Sequence, residues 1–466
     1  MLIYWIRNDF RFKDNEALFY FSQDKGEKKL IYIYDESKFT KRSAQKWWLY
    51  KTLTEFRNNL EAKKYKFEFF AGLEEIVFKN ILNKQNIEKV IYNKIYLPDE
   101  EKIEKKIIKL SEAHNVDCNA FSSNLLMDPR LSRKKDDTPF QVFTPFWKNE
   151  ELKYLSNYSY KNHNIINTKK IEKTFKEFEK ILPKKKWYKK FEKYWKIGSL
   201  EAEKKLNNFI NNNIEAYDVN RDIPSLDGTS KLSPHLAFGE ISSRDIYDQY
   251  LKLNKKNIGC KKFINEIGWR EFAYHLINHF PHMKNKNLRK NFDKFPWSTS
   301  KTHLQKWKKG ETGYPIVDAA MKQLYETGWM HNRLRMVTGS FLVKHLRINW
   351  VEGEKYFQDT LLDYDAANNV AGWQWIAGCG ADAAPYFRIF NPMTQGEKFD
   401  KNGDFVRKWL PKLKTIPNKY IHKPWEMPKE ISKLINFDLK RDYFEPIVDH
   451  SKARNEALKA FEYTKK

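Results

Sequence analysis

The sequence predicts an α/β domain followed by an all-helical region. Short runs of β-branched and aromatic residues alternate with amphipathic segments over residues 1–125, a lysine-rich stretch with few glycines covers 126–200, and the pattern of 201–466 is helical. Strands that alternate with helices predict a doubly wound parallel sheet, as in Rossmann-like domains. We therefore predict an N-terminal parallel-sheet domain, a long connector and a C-terminal all-helical domain within these three limits.

Five short runs in the first domain are rich in the β-branched and aromatic residues that favour strands. They are LIYWI (2–6), KLIYIYD (29–35), FEFF (67–70), KVIY (89–92) and VDCNAF (116–121). Because helical segments separate the runs, the connections are crossovers and the strands are expected to be parallel. Gly26 and Gly72 are the domain's only glycines, so it lacks the GxGxxG loop with which such domains usually hold a dinucleotide.

Composition narrows the class of protein. The chain has 466 residues, 41% of them apolar, which predicts two domains. It has neither a run of about eighteen apolar residues nor the features of a signal peptide at its start, so we expect a soluble, cytoplasmic protein without membrane partners. Cys118, Cys260 and Cys379 lie far apart without a CxxC pair, which argues against disulfides, zinc, iron–sulfur clusters and any other metal site.

The net charge of +26 has two interpretations. It is typical of a protein that binds a polyanion, because neutralised phosphates release counterions. It is also compatible with lysines spread over solvated faces. The charge alone does not decide between them, and the motifs must do so.

Two segments of the helical region combine residues of unusual chemistry. In GTSKLSPHLAFGEIS (228–242), Ser233 and Pro234 predict an N-cap and a first-turn proline, next to hydroxyls and amides that favour phosphate; an ordinary cap is the alternative. In FINEIGWREFAYHLINHFP (263–281), an acid, an indole and a guanidinium share one helix face at Glu266, Trp269 and Arg270. An exposed Glu266–Arg270 pair is the alternative there.

Two later segments are similar in kind. HNRLRM (331–336) places Asn332 and Met336 one helical turn apart, although such a methionine is also common in a core. DYDAANNVAGWQW (363–375) has two aspartates before two tryptophans, and these aspartates could equally form a helix N-cap. Neither segment is diagnostic alone.

In order and spacing, these motifs resemble the photolyase/cryptochrome flavoprotein family over essentially the whole chain, and most closely its class I cyclobutane pyrimidine dimer photolyases. The matching segments are WIRNDFRFKDNEAL, VFTPFW (142–147), GTSKLSP, WREF, TGYPIVDAAM, GWMHNRLRM, NNVAGWQW and PYFRIFNPMTQGEKF. The resemblance implies an N-terminal α/β domain, a connector and a helical domain that holds FAD, active as the reduced anion FADH−.

The resemblance also implies roles for individual residues. The flavin set is Tyr217, Thr229, Ser230, Lys231, Leu232, Ser233, Arg270, Arg335, Asp363, Asp365 and Asn369. The substrate and DNA set is Arg221, Glu266, Trp269, Asn332, Arg333, Met336, Trp375, Arg388, Gln395 and Lys398. The catalytic set is Glu266, Asn369 and an electron relay of Trp297, Trp350 and Trp373. Within these sets, Arg335 is expected to pair with Asp363, and Asn369 to face the flavin N5.

The implied activity is light-driven repair of UV-damaged DNA by a monomer. Excited reduced FAD would donate one electron to a pyrimidine dimer flipped into a pocket, the cyclobutane ring would open, and the electron would return without net oxidation. A (6-4) photolyase is disfavoured, because Asn332 and Met336 stand where those enzymes have histidine. A cryptochrome photoreceptor is the other alternative; such proteins often carry a long C-terminal extension, whereas this chain ends at Lys466.

An antenna pigment is a further expectation from the resemblance. Folate-binding relatives use an acidic and a basic residue, which Glu100 and Lys284 would supply for methenyltetrahydrofolate. The surrounding IYLPDEE is a poor match to those relatives. A deazaflavin, another flavin or an empty groove are therefore alternatives.

Overall fold

The computed structural model describes residues 1–122, 124–156, 173–383 and 387–465. Packing divides the chain into two compact units, and each is described by itself. The first unit consists of residues 1–215, 230–281 and 362–368. The second consists of residues 216–229, 282–361 and 369–466. The domain limits 1–125, 126–200 and 201–466 stay a prediction.

A five-stranded parallel sheet forms the start of the first unit. Its strands are β1 (Leu2–Ile6), β2 (Lys28–Tyr34), β3 (Phe67–Ala71), β4 (Lys89–Asn93) and β5 (Asp117–Phe121). All pairings are parallel, in the order β3-β2-β1-β4-β5. The crossover helices are α1 (Glu16–Gln23), α2 (Ser43–Ala62), α3 (Glu74–Lys84) and α4 (Pro98–Glu112). The predicted doubly wound sheet is thus confirmed, with each strand boundary within one residue of its predicted place.

The central strand carries the core of this sheet. Every residue of β1 is buried, as expected for a parallel strand covered on both faces. The Trp5 ring lies 4.9 Å from the Phe78 ring and 5.3 Å from the Tyr92 ring, between centroids. These aromatic contacts join β1, β4 and α3 into one apolar layer.

Beyond the sheet the described chain is helical, which confirms the α/β plus all-α fold class. In the first unit follow α5 (Phe143–Ser156), α6 (Ser199–Asn212), α8 (Ser233–Ala237), α9 (Ser243–Leu251) and α10 (Ile258–His279). In the second unit lie α7 (Tyr217–Asn220), α11 (Lys301–Lys309), α12 (Pro315–Thr327), α13 (Asn332–Ser340), α14 (Trp350–Thr360), α16 (Pro392–Phe399), α17 (Asp404–Trp409), α18 (Lys429–Leu434), α19 (Leu439–Asp442) and α20 (His450–Glu462). Helix α15 (Ala366–Ala377) begins in the first unit and continues in the second.

Tighter and wider turns complete the described chain. A π-helical turn, Phe341–His345, extends α13. The 3₁₀ turns are Glu36–Phe39, Lys176–Ile181, Lys186–Lys193, Ile214–Ala216, Pro281–Lys284, Lys290–Lys294, Pro411–Leu413 and Pro424–Glu426. Within the described ranges, no helix combines the length and apolar composition needed to cross a bilayer.

One predicted boundary is wrong. The sequence assigned the N-cap of α8 to Ser233, but Leu232 occupies the cap position and Ser233 is the first helical residue. The reason is the backbone at Leu232, whose φ of −82° and ψ of −10° are already close to helical. The preceding Lys231 has a φ of +50°, so the turn into the helix occurs there.

Candidate functional site

The segment before α8 has a backbone shape that suits an anion. Lys231 is left-handed, with a φ of +50°, and Leu232 is right-handed. Consecutive residues of opposite hand turn their N–H groups toward one side and form an anion-binding nest. Thr229 and Ser230 precede the nest and are half-buried. This arrangement fits the phosphate contacts predicted for residues 229–233.

The β1–α1 loop holds the chain that follows α8. A Cβ at Gly239, whose φ is +63°, would lie 1.9 Å from the backbone oxygen of Asn8, so only glycine fits there. Arg11 Nη1 donates to Gly239 O at 3.1 Å, and Ser242 Oγ donates to Asp14 Oδ2 at 2.6 Å. The segment WIRNDFRFKDNEAL, which the resemblance singled out, therefore anchors this part of the first unit.

This anchoring lies beside the place where a doubly wound sheet usually binds a ligand. That place lies at the carboxyl ends of the strands where the strand order reverses, here between β1 and β4. Asn8, Tyr96, Gly239 and Arg270 surround a cavity of about 20 Å³ there. A cavity of this size holds roughly one water molecule.

Helix α10 presents the predicted aromatic wall. The Trp269 ring stacks on Phe143 of α5, with centroids 3.9 Å apart and planes 8° from parallel. Trp269 nevertheless remains 36% exposed. Gly268 allows α10 to approach α5 closely, because a Cβ at this position would lie 2.6 Å from the Trp147 ring of α5. Glu266, one turn before Trp269, is half-buried. The indole of Trp269 is thus held in place by Phe143 on one side and is partly exposed to solvent.

Arg270 is held inside the first unit. Its Nη1 donates to Asn124 O at 3.3 Å and to Ser243 Oγ at 3.2 Å. The same nitrogen lies 3.6 Å from Glu271 Oε1. Burial raises the pKa of Glu271 to about 7, although the charge of Arg270 opposes the shift. The guanidinium therefore has a fixed position beside a carboxyl group that titrates near neutrality.

The two aspartates before α15 differ in their contacts. Asp365 Oδ2 accepts from Tyr274 OH at 2.7 Å, and its Oδ1 accepts from the backbone N of Asn368 at 2.9 Å. The second contact is that of a helix N-cap, so the cap interpretation of the aspartate pair holds for Asp365. Asp363 is buried. Both lie in residues 362–368, which pack within the first unit.

In the second unit a carboxylate orients Asn369. Asn369 Nδ2 lies 3.1 Å from Glu354 Oε1 and 3.4 Å from Glu354 O. Because an ionised carboxylate and a carbonyl only accept hydrogen bonds, the NH2 group of Asn369 must face Glu354. The side-chain oxygen of Asn369 then points away from it. Sequence reasoning identified Asn369 and missed Glu354, which has no motif of its own.

The three predicted relay tryptophans lie at different depths. Trp373 and Trp350 are buried, whereas Trp297 is half-buried. Trp350 Nε1 donates to Asn287 Oδ1 at 2.8 Å. Trp373 packs so closely on α14 that a Cβ at Gly353 would lie 2.2 Å from its ring. A decrease in burial from Trp373 to Trp297 is what a path toward the surface requires, and the relay stays a prediction.

The predicted lesion residues of the second unit lie on α13 and α15. Asn332 is exposed and Met336 half-buried. Trp375 Nε1 donates to Asp382 O at 3.1 Å, which fixes its indole. Arg335, predicted for the flavin, donates from Nε to Met330 O at 2.8 Å.

His331 acts as a structural cap. Its Nδ1 accepts from Arg333 N at 3.2 Å at the start of α13. Burial lowers the pKa of His331 to about 4. The lowered pKa favours the neutral imidazole, which has its one N–H on Nε2 and lacks the extra proton of an imidazolium.

Five residues of the predicted substrate and DNA set are candidates for contacts with DNA, mostly with its phosphates, and four of these five line one cleft of the second unit. Arg333, Arg388, Gln395 and Lys398 surround it together with Asp222, and its volume is about 360 Å³. Arg333 Nη2 pairs with Asp222 Oδ1 at 2.7 Å, and its guanidinium lies 4.4 Å from the Phe399 ring centroid. The fifth residue, Arg221, precedes Asp222 and lies over the Tyr217 ring at 5.3 Å.

A buried lysine contacts the backbone of a residue that lines this cleft. Lys344, in the π-helical turn, donates to Arg388 O at 3.2 Å and lies 3.4 Å from the Phe387 ring centroid. Burial lowers its pKa to about 7. Sequence reasoning also missed this residue. Pro385 and Tyr386 of the segment PYFRIFNP lie outside the described residues.

The predicted antenna residues have other contacts. Glu100 Oε2 accepts from Arg7 at 2.6 Å and from Lys38 at 2.8 Å. Burial opposes its ionisation, but the charges of Lys38 and Arg7 lower the pKa of Glu100 to about 2. Lys284 is exposed in the second unit. Among the described residues, no three His, Cys, Asp or Glu side chains are placed to hold a metal ion.

The fold and these residues define a flavoprotein of the photolyase/cryptochrome class. Residues 2–162 match the family described as DNA photolyase, and residues 263–463 match the FAD binding domain of DNA photolyase. The chain belongs to the DNA photolyase family, and FAD is the cofactor of the domain that residues 263–463 match.

Individual relatives agree with this assignment. The deoxyribodipyrimidine photo-lyase of Agrobacterium fabrum is 39% identical over all of this chain and 98% of its own length. A solved class III photolyase from Agrobacterium tumefaciens, also 39% identical, covers 100% of this chain and 97% of that one with a TM-score of 0.91. A Synechocystis cryptochrome has a TM-score of 0.87 at 26% identity and covers 99% of both chains. The narrower assignment to class I stays a prediction.

Proposed function

We propose that this protein splits cyclobutane pyrimidine dimers in UV-damaged DNA, driven by blue light absorbed by FAD. The observation that carries the proposal is the cleft that gathers Arg333, Arg388, Gln395 and Lys398. Guanidinium and ammonium groups beside aromatic rings suit phosphates and bases together. The names of the relatives, deoxyribodipyrimidine photo-lyases, support the same substrate.

The residues proposed for the cofactor suit FAD chemically. The nest at Lys231–Leu232 and the hydroxyls of Thr229, Ser230 and Ser233 match phosphates and ribityl oxygens. Tyr217, Arg270, Arg335, Asp363 and Asp365 complete the proposed set. When bound in its reduced form, FAD supplies the electron that opens the cyclobutane ring under light. The protein positions the reactants, excludes water and stabilises developing charge.

We propose that Asn369 controls the protonation of the flavin N5. Glu354 holds the NH2 group of Asn369, so the amide oxygen is the atom presented on the other side. An amide oxygen accepts a hydrogen bond from N–H and so favours the reduced, protonated nitrogen. This orientation follows from the acceptor-only chemistry of Glu354.

The lesion would be held by aromatic walls and by groups that read base edges. In the first unit Trp269, backed by Phe143, offers a stacking surface, and Glu266 on the same helix face offers a hydrogen-bond acceptor. In the second unit we assign the corresponding roles to Asn332, Met336 and Trp375. Photolyases are among the enzymes known to extrude the target base from the duplex, so flipping is general behaviour of the class.

The contacts of His331 disfavour the (6-4) alternative. Enzymes for (6-4) photoproducts need a histidine that donates a proton, whereas His331 caps α13 and has a pKa near 4. The cryptochrome alternative is supported by the similarity to the Synechocystis protein. Repair activity itself distinguishes a photolyase from a photoreceptor.

The test is repair of UV-irradiated oligo(dT) by the reduced protein. We expect absorbance of the restored thymines to recover under blue light and not in the dark, and an oligonucleotide with a (6-4) photoproduct to stay unrepaired. Equal recovery in light and dark would refute the proposal. Retention of flavin without repair of either lesion would favour a photoreceptor.

A second test concerns the cleft. Arg388→Ala should reduce the dependence of log Kd on log salt by about one unit, because one phosphate contact is lost. Arg441→Ala is the matched control, since Arg441 is exposed and pairs with its neighbour Asp442. Equal slopes for the wild type and Arg388→Ala would remove Arg388 from the DNA interface. We further propose a monomeric, cytoplasmic enzyme with methenyltetrahydrofolate as its antenna pigment.

A further inference from the structure

Helix α2 carries a row of buried polar side chains. Gln45, Trp48 and Thr52 lie at spacings of three and four residues, on one face of the helix. Their exposures are 3%, 0% and 1%. A helix packed on a parallel sheet usually buries only apolar groups, because each buried polar atom must find a hydrogen-bond partner. The partners of this row are therefore informative.

Gln45 binds the chain on both sides of Asp363. Its Nε2 donates to Tyr364 O at 2.7 Å and to Leu362 O at 3.3 Å. The guanidinium of Arg42, just before α2, lies 5.0 Å from the Tyr364 ring centroid. One side-chain amide thus fixes two carbonyls that flank a residue of the proposed flavin set.

Trp48 and Thr52 bind a different segment through Glu240. Trp48 Nε1 donates to Glu240 Oε1 at 3.0 Å, and Thr52 Oγ1 donates to the same oxygen. Glu240 Oε2 lies 2.5 Å from Nδ1 of His235, which belongs to α8 directly after the phosphate nest. Glu240 and His235 are fully buried. A buried carboxylate depends on such donors, because its desolvation is otherwise very costly.

The neighbouring residue Trp47 serves as a comparison for Trp48. Trp47 is as buried as Trp48, with 1% of its surface exposed, and its ring packs against Phe191 at 5.5 Å. Within the described part of the chain, its Nε1 has no hydrogen-bond partner. The two adjacent tryptophans are about equally buried, but Trp48 reaches a flavin segment in two ways. Its Nε1 donates to Glu240, and its ring lies 5.1 Å from the His235 ring and 6.2 Å from the Phe238 ring, between centroids.

We propose that the row Gln45, Trp48 and Thr52 positions both flavin segments of the first unit, residues 230–241 and 362–368. These residues do not touch the cofactor; they act through Glu240, His235 and the backbone around Asp363. Loops held in their bound conformation lose less entropy when a ligand binds. The parallel-sheet domain is thereby a structural part of FAD binding. This inference rests on the proposed flavin function.

The experiment compares two matched pairs on α2. Trp48→Phe and Trp47→Phe each remove an indole, and Thr52→Val and Thr54→Val each remove a hydroxyl. In the described ranges, the hydrogen bond of Thr54 Oγ1 goes to Tyr50 O at 2.7 Å, within the helix itself. The rate of FAD release is measured for the wild type and the four purified variants from the rise of flavin fluorescence. The visible flavin spectrum and the unfolding midpoint of each protein are measured as well.

We expect Trp48→Phe and Thr52→Val to release FAD about tenfold faster than the wild type, the order of effect of one hydrogen bond to a charged group. Trp47→Phe and Thr54→Val should stay within about twofold of the wild type. Equal release rates within each pair would overturn the proposal, as would unfolding midpoints that fall while FAD release stays unchanged. A wild type that retains FAD but repairs no lesion would overturn the proposed function instead, and the four release rates would still decide this inference.

Discussion

Replacement of Gly268 by alanine tests how the aromatic wall on α10 is built. The added Cβ would lie 2.6, 2.8 and 2.9 Å from three atoms of the Trp147 ring. Carbon atoms pack at about 3.5–4.0 Å, so the ring must retreat by about 1 Å. Overpacking of this kind costs about 1–3 kcal/mol, and the better helix propensity of alanine returns up to about 1 kcal/mol. We expect a net loss of about 1–2 kcal/mol of unfolding free energy.

The same displacement should reach the lesion. Phe143 lies one turn before Trp147 on α5, so a shift of that helix also separates Phe143 from Trp269, whose ring centroids are 3.9 Å apart. We therefore expect weaker binding of dimer-containing DNA in addition to lower stability. Flavin content should be unchanged, which separates this effect from a general loss of structure.

Denaturant unfolding and fluorescence anisotropy with damaged and undamaged oligonucleotides measure the two effects. The double variant Gly268→Ala with Trp147→Leu is the control, because the shorter side chain makes room for the methyl group. The stability changes of the two single substitutions should then not add, with a coupling of about 1 kcal/mol or more. A neutral or stabilising Gly268→Ala would refute the packing argument, and so would strict additivity in the double variant.

Three further predictions concern the proposed site. Trp269→Ala should weaken selective binding of dimer-containing DNA by roughly 1–3 kcal/mol, the worth of one stacking wall, and unchanged discrimination between damaged and undamaged DNA in a binding titration would contradict it. Glu354→Gln should free the amide of Asn369 to rotate, so reduced flavin should reoxidise in air about tenfold faster; an unchanged decay of the reduced spectrum would remove Glu354 from the site. Lys344→Met should stabilise the fold most below pH 7, where burial makes the ammonium costly, and the gain should shrink as pH rises toward the ordinary lysine pKa. Denaturant unfolding at pH 6 and pH 9 checks this sign, and an equal difference at both values would contradict it.

The sequence by itself determined the parallel sheet, the helical remainder and the family. Local composition was sufficient for the central strands, because a strand covered on both faces must be a continuous apolar run, and β1 and the run LIYIY of β2 are buried throughout. The sequence also identified residues with unusual chemistry, such as Trp269 and Asn369. It could do so because a plain apolar core seldom contains tryptophan or asparagine at helical spacing from charged residues.

Only the tertiary structure decided which partners these residues have. Phe143 behind Trp269, Glu354 beside Asn369 and Lys344 beside Arg388 belong to pairs separated by 126, 15 and 44 positions, and the local sequence around each partner does not predict these contacts. The donor row on α2 is hidden in the same way. Burial and hydrogen-bond partners are properties of surfaces brought together from distant parts of the chain, so they depend on the folded packing rather than on local pattern.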